Sequence, residues 1–233
     1  MNTSLKEKKP LYINHRKRLK KKFTASGIDS LHDYEVLELL LTFAIHRKDV
    51  KPIAKELISR FGGFHGVLDA SVQDISLVPG LGEHSAVLIK LVRACSDLYL
   101  KKKLHKRDVL SSPDDVLRYC TSAMARLGVE QFRVMYLNAK NEVISDEIIQ
   151  EGTVDQTAVY PRKIMEHALK IKSAAAILCV HNHPSGDPAP SHHDKVLTNA
   201  LQKAAEALGI KLHDHIIIGT KGYFSFKQDG LLF

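Results

Sequence analysis

The sequence predicts two domains of different class, a small all-α domain followed by an α/β domain in which helices flank a mixed sheet. Residues 1–100 alternate helical stretches with short turns, whereas the chain from residue 114 onward alternates strand patterns with helical ones. Between them, residues 101–112 are rich in lysine and arginine and lead into Pro113. Because domain boundaries fall in polar segments, we expect domains at residues 1–104 and 105–233.

Five stretches of the first domain have helical periodicity: residues 15–23, 30–45, 49–63, 71–78 and 83–100. Ser30 is the expected N-cap of the second stretch, because serine favours that position. The third stretch has Pro52 in its first turn and ends at Gly62 and Gly63, the arrangement typical of a helix. The turn at residues 79–82 then joins two helices in a helix-hairpin-helix-like arrangement.

The second domain is expected to mix strands and helices. Helices are predicted at residues 114–127, 161–172 and 191–209, and strands at residues 132–137, 142–153, 174–180, 210–219 and 223–226. The first two strands form a hairpin. The run at 174–180 is continuously apolar, which indicates a strand covered on both faces. In the helix at 161–172, the predicted buried residues are Ile164, Met165, Ala168 and Leu169.

The positive charge of the chain is concentrated at its N-terminus. Residues 1–22 contain nine lysines and arginines against Glu7, and their net charge of +8 equals that of the whole chain. A basic arm on a neutral body favours a polyanionic partner such as DNA. A solvated tail without a partner explains the same composition, so the arm alone leaves both interpretations open.

Other bulk features exclude several classes of protein. Cys95, Cys120 and Cys179 are few and widely spaced, which indicates a reducing compartment and excludes a disulfide framework. The chain has no apolar run long enough to span a membrane, and no apolar segment follows the N-terminal lysines as in a secretory leader. We therefore expect a cytoplasmic protein with no membrane partner.

The stretch HNHPSGDPAPSHHD, residues 181–194, carries the chemistry of the second domain. His181 and His183 are two residues apart at the end of the buried strand, so both side chains project from the same face. Asp194 lies in the first turn of the next helix. Two imidazoles and a carboxylate leave a fourth tetrahedral position open, as in catalytic zinc sites. A capping box from Ser191 to Asp194 and a polar strand end explain the same residues without a metal.

The whole pattern resembles a known family. HNHP followed by SHHD is similar to the metal motif of the JAMM metalloproteases, which include isopeptidases. The fuller stretch, with YPRKI before it and DHIIIG after it, resembles the RadC-like branch more narrowly. The first half agrees through HRKRLKKKF, LELLLTFAI, RFGGFHGVLDAS and VPGLGEHSA.

The resemblance implies a zinc hydrolase domain with a fold related to cytidine deaminases and one zinc ion per chain. It implies that His181, His183 and Asp194 bind the metal, and that Ser191 supports the oxyanion. It also requires a glutamate that takes a proton from the attacking water. Three glutamates of the predicted hairpin are candidates, namely Glu142, Glu147 and Glu151, and Glu147 fits the family position best.

The remaining motifs allow other interpretations. His213 and His215 are two residues apart in a strand, so we expect them to share a face and to pack in the core or support the ligands. Gly80 and Gly82 precede a helix N-terminus that, with Lys90, is a candidate contact for a DNA phosphate without sequence preference. A turn that binds nothing is the alternative.

These observations lead to three hypotheses about the function of the protein. The first is zinc-dependent hydrolysis of an amide or isopeptide bond in a protein or peptide. The second is DNA binding with an accessory metal domain, which the resemblance to the RadC-like branch associates with repair or recombination. The third is a metal-bound interaction module that has lost hydrolysis, although the complete ligand set together with Ser191 argues against it.

Overall fold

The computed structural model describes residues 11–46, 48–104, 108–152 and 159–232. The chain divides into two compact units, Met1–Ser96 and Asp97–Phe233, and the division falls inside a helix. The boundary expected at residues 104 and 105 adjoins residues 105–107, which lie outside the described part of the chain. Lys6, Lys8 and Lys9 of the basic arm also lie outside it.

Unit 1 is helical throughout its described residues. Its helices are α1 (Leu11–Ser26), α2 (Asp33–Ala44), α3 (Lys51–Phe61), α4 (Phe64–Asp69), α5 (Val72–Ser76) and the first part of α6 (Glu83–Leu104). The core is built from fully buried residues of α2, α3, α5 and α6, namely Leu37, Leu41, Ala54, Leu57, Ile75 and Ile89. The all-α class predicted for the first half is therefore confirmed.

One local expectation in unit 1 was wrong, and one helix was not expected. Ser30 does not cap α2, because it ends a short 3-10 helix and its hydroxyl donates to the carbonyl of Gly27. His32 is the N-cap instead, and Glu35 accepts a hydrogen bond of 3.0 Å from its backbone N–H. Helix α4 was not expected, since six residues are too short to display helical periodicity.

Unit 2 contains a five-stranded mixed sheet. Its elements in chain order are α7 (Pro113–Met124), β1 (Glu130–Leu137), β2 (Val143–Gly152), α8 (Pro161–Lys170), β3 (Ala176–Asn182), α9 (His192–Glu206), β4 (Lys211–Gly219) and β5 (Gly222–Ser225). The strand order is β2-β1-β3-β4-β5, in which only β3 and β4 are parallel. This confirms the predicted α/β class, with the predicted hairpin as β1 and β2.

Helices cover both faces of this sheet. The face that bears Phe132, Val134 and Cys179 packs against α8 and α9, whereas α7 packs against the opposite face. Every residue of β3 is buried, as its continuous apolar run predicted. Leu169 is 60% exposed, so its predicted burial in α8 was wrong, because α8 turns only Ile164, Met165 and Ala168 toward the sheet. None of the described helices is long and apolar enough to cross a membrane.

The loop between β3 and α9 lies directly on the end of β4. A Cβ atom at Gly219 would sit 2.3 Å from the carbonyl oxygen of Gly186 and 3.2 Å from the nitrogen of Pro188. The backbone N–H of Lys221 donates to the same Gly186 carbonyl at 3.0 Å. The loop therefore packs backbone to backbone against β4, and this contact requires glycine at position 219.

We expect Gly219→Ala to lower the free energy of unfolding by about 2 kcal/mol, because its methyl group would meet backbone atoms that cannot rotate away. Urea denaturation of the full chain measures this change. Gly128→Ala is the matched control, since a Cβ atom there has no neighbour within 4 Å. Equal denaturation midpoints for the two variants would contradict the tight packing of the loop.

Candidate metal centre

The pleat of β3 places two histidines on one face. His181 is fully buried and pairs across the strands with Phe132 of β1, whose ring stacks on it at a centroid distance of 5.8 Å. His183 follows the end of β3, but its backbone N–H still donates to the carbonyl of Ile218 at 2.9 Å. The extended backbone therefore continues through His183, and both imidazoles point to the same side.

The third candidate ligand is held by the cap of α9. The backbone N–H and the hydroxyl of Ser191 donate to Oδ2 of Asp194 at 2.7 and 2.6 Å, and Asp194 N–H donates back to Ser191 Oγ at 3.2 Å. This is a complete capping box. The cap and the metal interpretation are thus compatible, since the bonds that begin the helix also orient the Asp194 carboxylate and leave Oδ1 facing His181.

The three side chains converge. Nε2 of His181 lies 3.1 Å from Nε2 of His183 and 3.2 Å from Oδ1 of Asp194, and His183 Nε2 lies 3.6 Å from Asp194 Oδ2. Ligands about 2.1 Å from a tetrahedral zinc ion are separated by roughly 3.4 Å. Among the described residues these are the three that cluster as a candidate metal site. Their donor types and separations fit one zinc-sized cation.

The electrostatics of the cluster favours a cation. Burial opposes ionisation of Asp194, but hydrogen bonds from His181, His183 and Ser191 outweigh it and hold the pKa of this carboxyl well below its usual range. The hydrogen bond with Asp194 raises the pKa of His183 above its ordinary value, against the opposing effect of burial. An ionised carboxylate therefore faces two imidazoles inside the protein, and positive charge among them is stabilised.

A cavity of about 440 Å³ opens beside the cluster, and His183 and Asp194 form part of its wall. Apolar side chains of Phe132, Val159 and Leu197 line the rest of the wall, together with polar groups. The size lies within the range of small-ligand sites in proteins. The candidate metal centre is therefore accessible to a substrate from one side.

Glu130 is a site residue that the sequence reasoning missed. It begins β1 and lies two residues before Phe132, on the same face, so the antiparallel register brings it beside the end of β3. It lines the cavity with His183 and Asp194, and its negative charge contributes to the raised pKa of His183, after the larger effect of Asp194. A carboxylate thus lies next to the candidate ligands.

Asn182, between the two histidines, holds the backbone on either side of Glu130. Its Oδ1 accepts from the backbone N–H of Gln131 at 2.8 Å, and its Nδ2 donates to the carbonyl of Val129 at 3.0 Å. Asn182 is fully buried and points away from the histidines by the alternation of the strand. The same tripeptide therefore supplies two candidate ligands and fixes the start of β1.

The hairpin glutamates proposed from the sequence do not line this cavity. Glu147 pairs with Val134, farther along β1, and its Oε2 lies 2.7 Å from Nδ1 of His167. Its Oε1 accepts from the hydroxyl of Ser145 at 2.9 Å. Glu142 accepts from Asn138, and Glu151 accepts from Gln131. The structure brings together His181, His183, Ser191 and Asp194 as expected, but it places Glu130 beside them instead of Glu147.

The two histidines of β4 point to different sides. The register of β3 with β4 steps from Leu212 directly to Asp214, so His213 is the extra residue of a bulge. His213 contacts Asn141, whereas His215 contacts His181. The expectation that they share a face was wrong because the bulge interrupts the alternation. Burial and the neighbouring His181 lower the pKa of His215 well below its ordinary value.

The glycine turn of unit 1 has its own internal contacts. Gly80 adopts a positive φ of 88° in the turn between α5 and α6. The ammonium group of Lys90 donates to the carbonyls of Leu68 and Asp69 at 2.7 and 3.3 Å, at the end of α4. Gly82 has open space around it. The DNA contact of Gly80, Gly82 and Lys90 stays a prediction, with Lys90 already bonded inside the unit.

Comparison with known proteins finds one family match in each half of the chain. Residues 110–231 match the RadC-like JAB domain, and residues 12–87 match the UPF0758 N-terminal domain. A UPF0758 protein from Ruegeria pomeroyi is 46% identical over 224 residues, which cover 96% of this chain and 100% of the relative. The chain therefore belongs to the RadC-like JAB-domain family, a branch of the JAMM family, and carries the UPF0758 N-terminal domain.

Proposed function

We propose that the protein is a zinc-dependent hydrolase that cleaves an amide or isopeptide bond in a protein or peptide. The observation that carries this proposal is the convergence of two imidazoles and one carboxylate beside a cavity, whose wall contains His183, Asp194 and Glu130. His181, His183 and Asp194 would hold the ion. When bound, zinc lowers the pKa of a water molecule to about 7 and polarises a carbonyl oxygen.

In this proposal Glu130 carries the proton. Glu130 lines the cavity together with His183 and Asp194, and its carboxylate would accept a proton from the attacking water there. The same carboxyl group then donates that proton to the leaving amine nitrogen. Asn182 holds the backbone on both sides of Glu130 and thereby keeps this carboxylate at the cavity.

Ser191 is proposed to donate a hydrogen bond to the oxyanion as the carbonyl becomes tetrahedral. Ser191 lines the cavity, and its hydroxyl donates to Asp194 Oδ2 at 2.6 Å. Rotation of the hydroxyl toward the substrate exchanges this hydrogen bond for one to the oxyanion. The backbone N–H of Ser191 still donates to Asp194 after that exchange, so the carboxylate keeps its orientation.

The shape of the site supports an extended substrate. Strand β2 is at one edge of the described sheet, and its residues Gln150 and Gly152 line the cavity. A peptide added to a sheet edge gains affinity from backbone hydrogen bonds, while pockets for its alternate side chains give specificity. A peptide chain lying along β2 would therefore present one of its carbonyl groups to the centre.

DNA binding through unit 1 is a second candidate function, favoured by the surface of α1. Four basic side chains of this helix are exposed, namely Lys17, Arg18, Lys20 and Lys21, and α1 has no acidic residue. Lys22 is instead paired with Glu35 at 2.8 Å. A surface of basic side chains without acidic neighbours binds DNA phosphates without distinguishing the base sequence.

The first prediction concerns metal content. We expect the purified chain to carry about one zinc ion and His183→Ala to lose it, because two ligands hold a catalytic zinc much more weakly than three. Elemental analysis after dialysis measures this. His192→Ala is the control, since His192 is exposed in the same helix turn and should leave the content unchanged. Equal zinc in both variants would exclude this site.

The second prediction concerns the proton carrier. With a fluorogenic peptide library as the substrate, Glu130→Gln should lower kcat/KM at least 100-fold while zinc content is retained. Glu147→Gln removes the same charge from a side chain bonded to His167, and it should change the rate less than about threefold.

The opposite ranking of these two variants would return the role to Glu147. Zinc binding without cleavage of any library peptide or isopeptide-linked peptide would contradict the hydrolase and leave the interaction module. Cleavage of DNA instead of peptides would also overturn the proposal.

The third prediction concerns DNA. Replacing Lys17, Arg18, Lys20 and Lys21 with Gln should weaken binding of a short duplex and reduce the slope of log K against log salt by roughly 3. Fluorescence anisotropy at several salt concentrations measures this. Removing four exposed lysines of unit 2 is the matched control, at positions Lys170, Lys172, Lys211 and Lys221. Equal losses in both variants would contradict a binding surface on α1.

A further inference from the structure

A continuous chain of hydrogen bonds joins two of the candidate ligands behind the cavity. Nδ1 of His181 lies 2.9 Å from Nε2 of His215, and Nδ1 of His215 lies 2.6 Å from Oγ1 of Thr198. Thr198 Oγ1 in turn lies 2.6 Å from the carbonyl oxygen of Asp194, one helical turn earlier in α9. This series of hydrogen bonds therefore links β3, β4 and α9 and ends at the backbone carbonyl of Asp194, one of the candidate metal ligands.

The contact between Thr198 and the Asp194 carbonyl determines which atom donates in each of the other hydrogen bonds. A carbonyl oxygen has no hydrogen, so the Thr198 hydroxyl must donate to Asp194 O. Because the hydroxyl has only one hydrogen, its contact with His215 requires the imidazole to be the donor through Nδ1–H. His215 is fully buried between the rings of Phe132 and Phe226, which favours its neutral form.

The same reasoning fixes the position of the hydrogen on His181, a candidate metal ligand. A neutral His215 with a hydrogen on Nδ1 has a lone pair on Nε2, so His181 must donate through its own Nδ1–H. A neutral His181 then has its free lone pair on Nε2, the atom that faces His183 and Asp194. His183 reaches the same state by donating from Nδ1 to the carbonyl of Asp187 at 2.8 Å.

We propose that His215 and Thr198 are positioning residues that fix the tautomer of His181, so that its Nε2 lone pair is presented to the cation. This inference rests on the metal centre proposed above. The relay couples the three elements that build the site, because His181 lies on β3, His215 on β4, and Thr198 and Asp194 on α9. These hydrogen bonds keep His181 in the tautomer whose Nε2 can bind the metal, and they contact the backbone of Asp194.

Thr198→Val removes the hydroxyl but keeps the branched shape of the side chain. Without this hydroxyl, Nδ1–H of His215 has no acceptor, so the hydrogen can move to Nε2 and be donated to Nδ1 of His181. His181 would then carry its own hydrogen on Nε2, the atom that should bind the metal. We expect zinc affinity to fall 10- to 100-fold, as when supporting partners of metal ligands are removed. Competition with a chromophoric chelator at neutral pH measures the affinity.

Two control variants separate this role from a general effect on folding. Thr198→Ser keeps the hydroxyl and should bind zinc within about threefold of the unmutated chain. Thr42→Val makes the same substitution at a buried threonine of α2, whose hydroxyl donates to Leu39 O at 2.6 Å, and it should leave zinc affinity unchanged.

A second measurement needs no variant. Long-range ¹H–¹⁵N NMR spectra of the metal-free chain at alkaline pH should show hydrogen on Nδ1 of both His181 and His215. Hydrogen on Nε2 of His181 would overturn the relay. Equal zinc affinity of the unmutated chain and Thr198→Val would overturn the relay but leave the metal centre intact. Failure of the unmutated chain to bind zinc would overturn both.

Discussion

The organisation of unit 2 around its site depends on one constraint, the meeting of two imidazole nitrogens and the Asp194 carboxylate at separations of 3.1 to 3.6 Å. Two ordinary features of secondary structure satisfy it. The alternation of β3 sets His181 and His183 on one side, and the capping box of α9 orients Asp194 toward them. The lone pairs of these atoms repel each other unless a cation or a proton lies among them, so the arrangement itself favours a cation.

Burial makes this constraint demanding. His181, His215 and Asn182 are fully buried, and Asp194 and Thr198 are almost so. A buried polar group without a partner costs about 1–3 kcal/mol, and each of these side chains has a partner. The histidines and Thr198 bond to one another, while Asn182 bonds to the backbone of β1. The apolar core and the polar centre therefore share one set of strands, and His181 lies on the same face of β3 as the core residues Ile177 and Cys179.

Local spacing made most of the site predictable. His181, His183 and Asp194 are separated by a strand period and by a loop that leads into a helix cap, so their grouping could be inferred from a short stretch of sequence. Glu130 could not be found in this way. It lies 51 residues before His181 in the sequence, and only the antiparallel register of β1 with β3 brings them together. The available signal was its position at the start of a strand that is rich in apolar residues.

The errors in the fold have similar causes. The class of both units and most elements followed from periodicity, but the bulge at His213 removes one residue from the alternation of β4 and cannot be read from a run of isoleucines. Glu147 lies in β2 as expected and its partner in the structure is His167, while its role as the proton carrier stays a prediction. In both cases the deciding contact joins residues far apart in the chain, where sequence spacing carries little information.

The zinc X-ray absorption spectrum of the loaded chain tests the metal centre most directly. We expect a four-coordinate ion with two imidazole nitrogens and oxygen ligands, all at about 2.1 Å. A sulfur ligand at about 2.3 Å, or an all-oxygen shell without imidazole scattering, would place the metal elsewhere and contradict the convergence of His181, His183 and Asp194 on one cation.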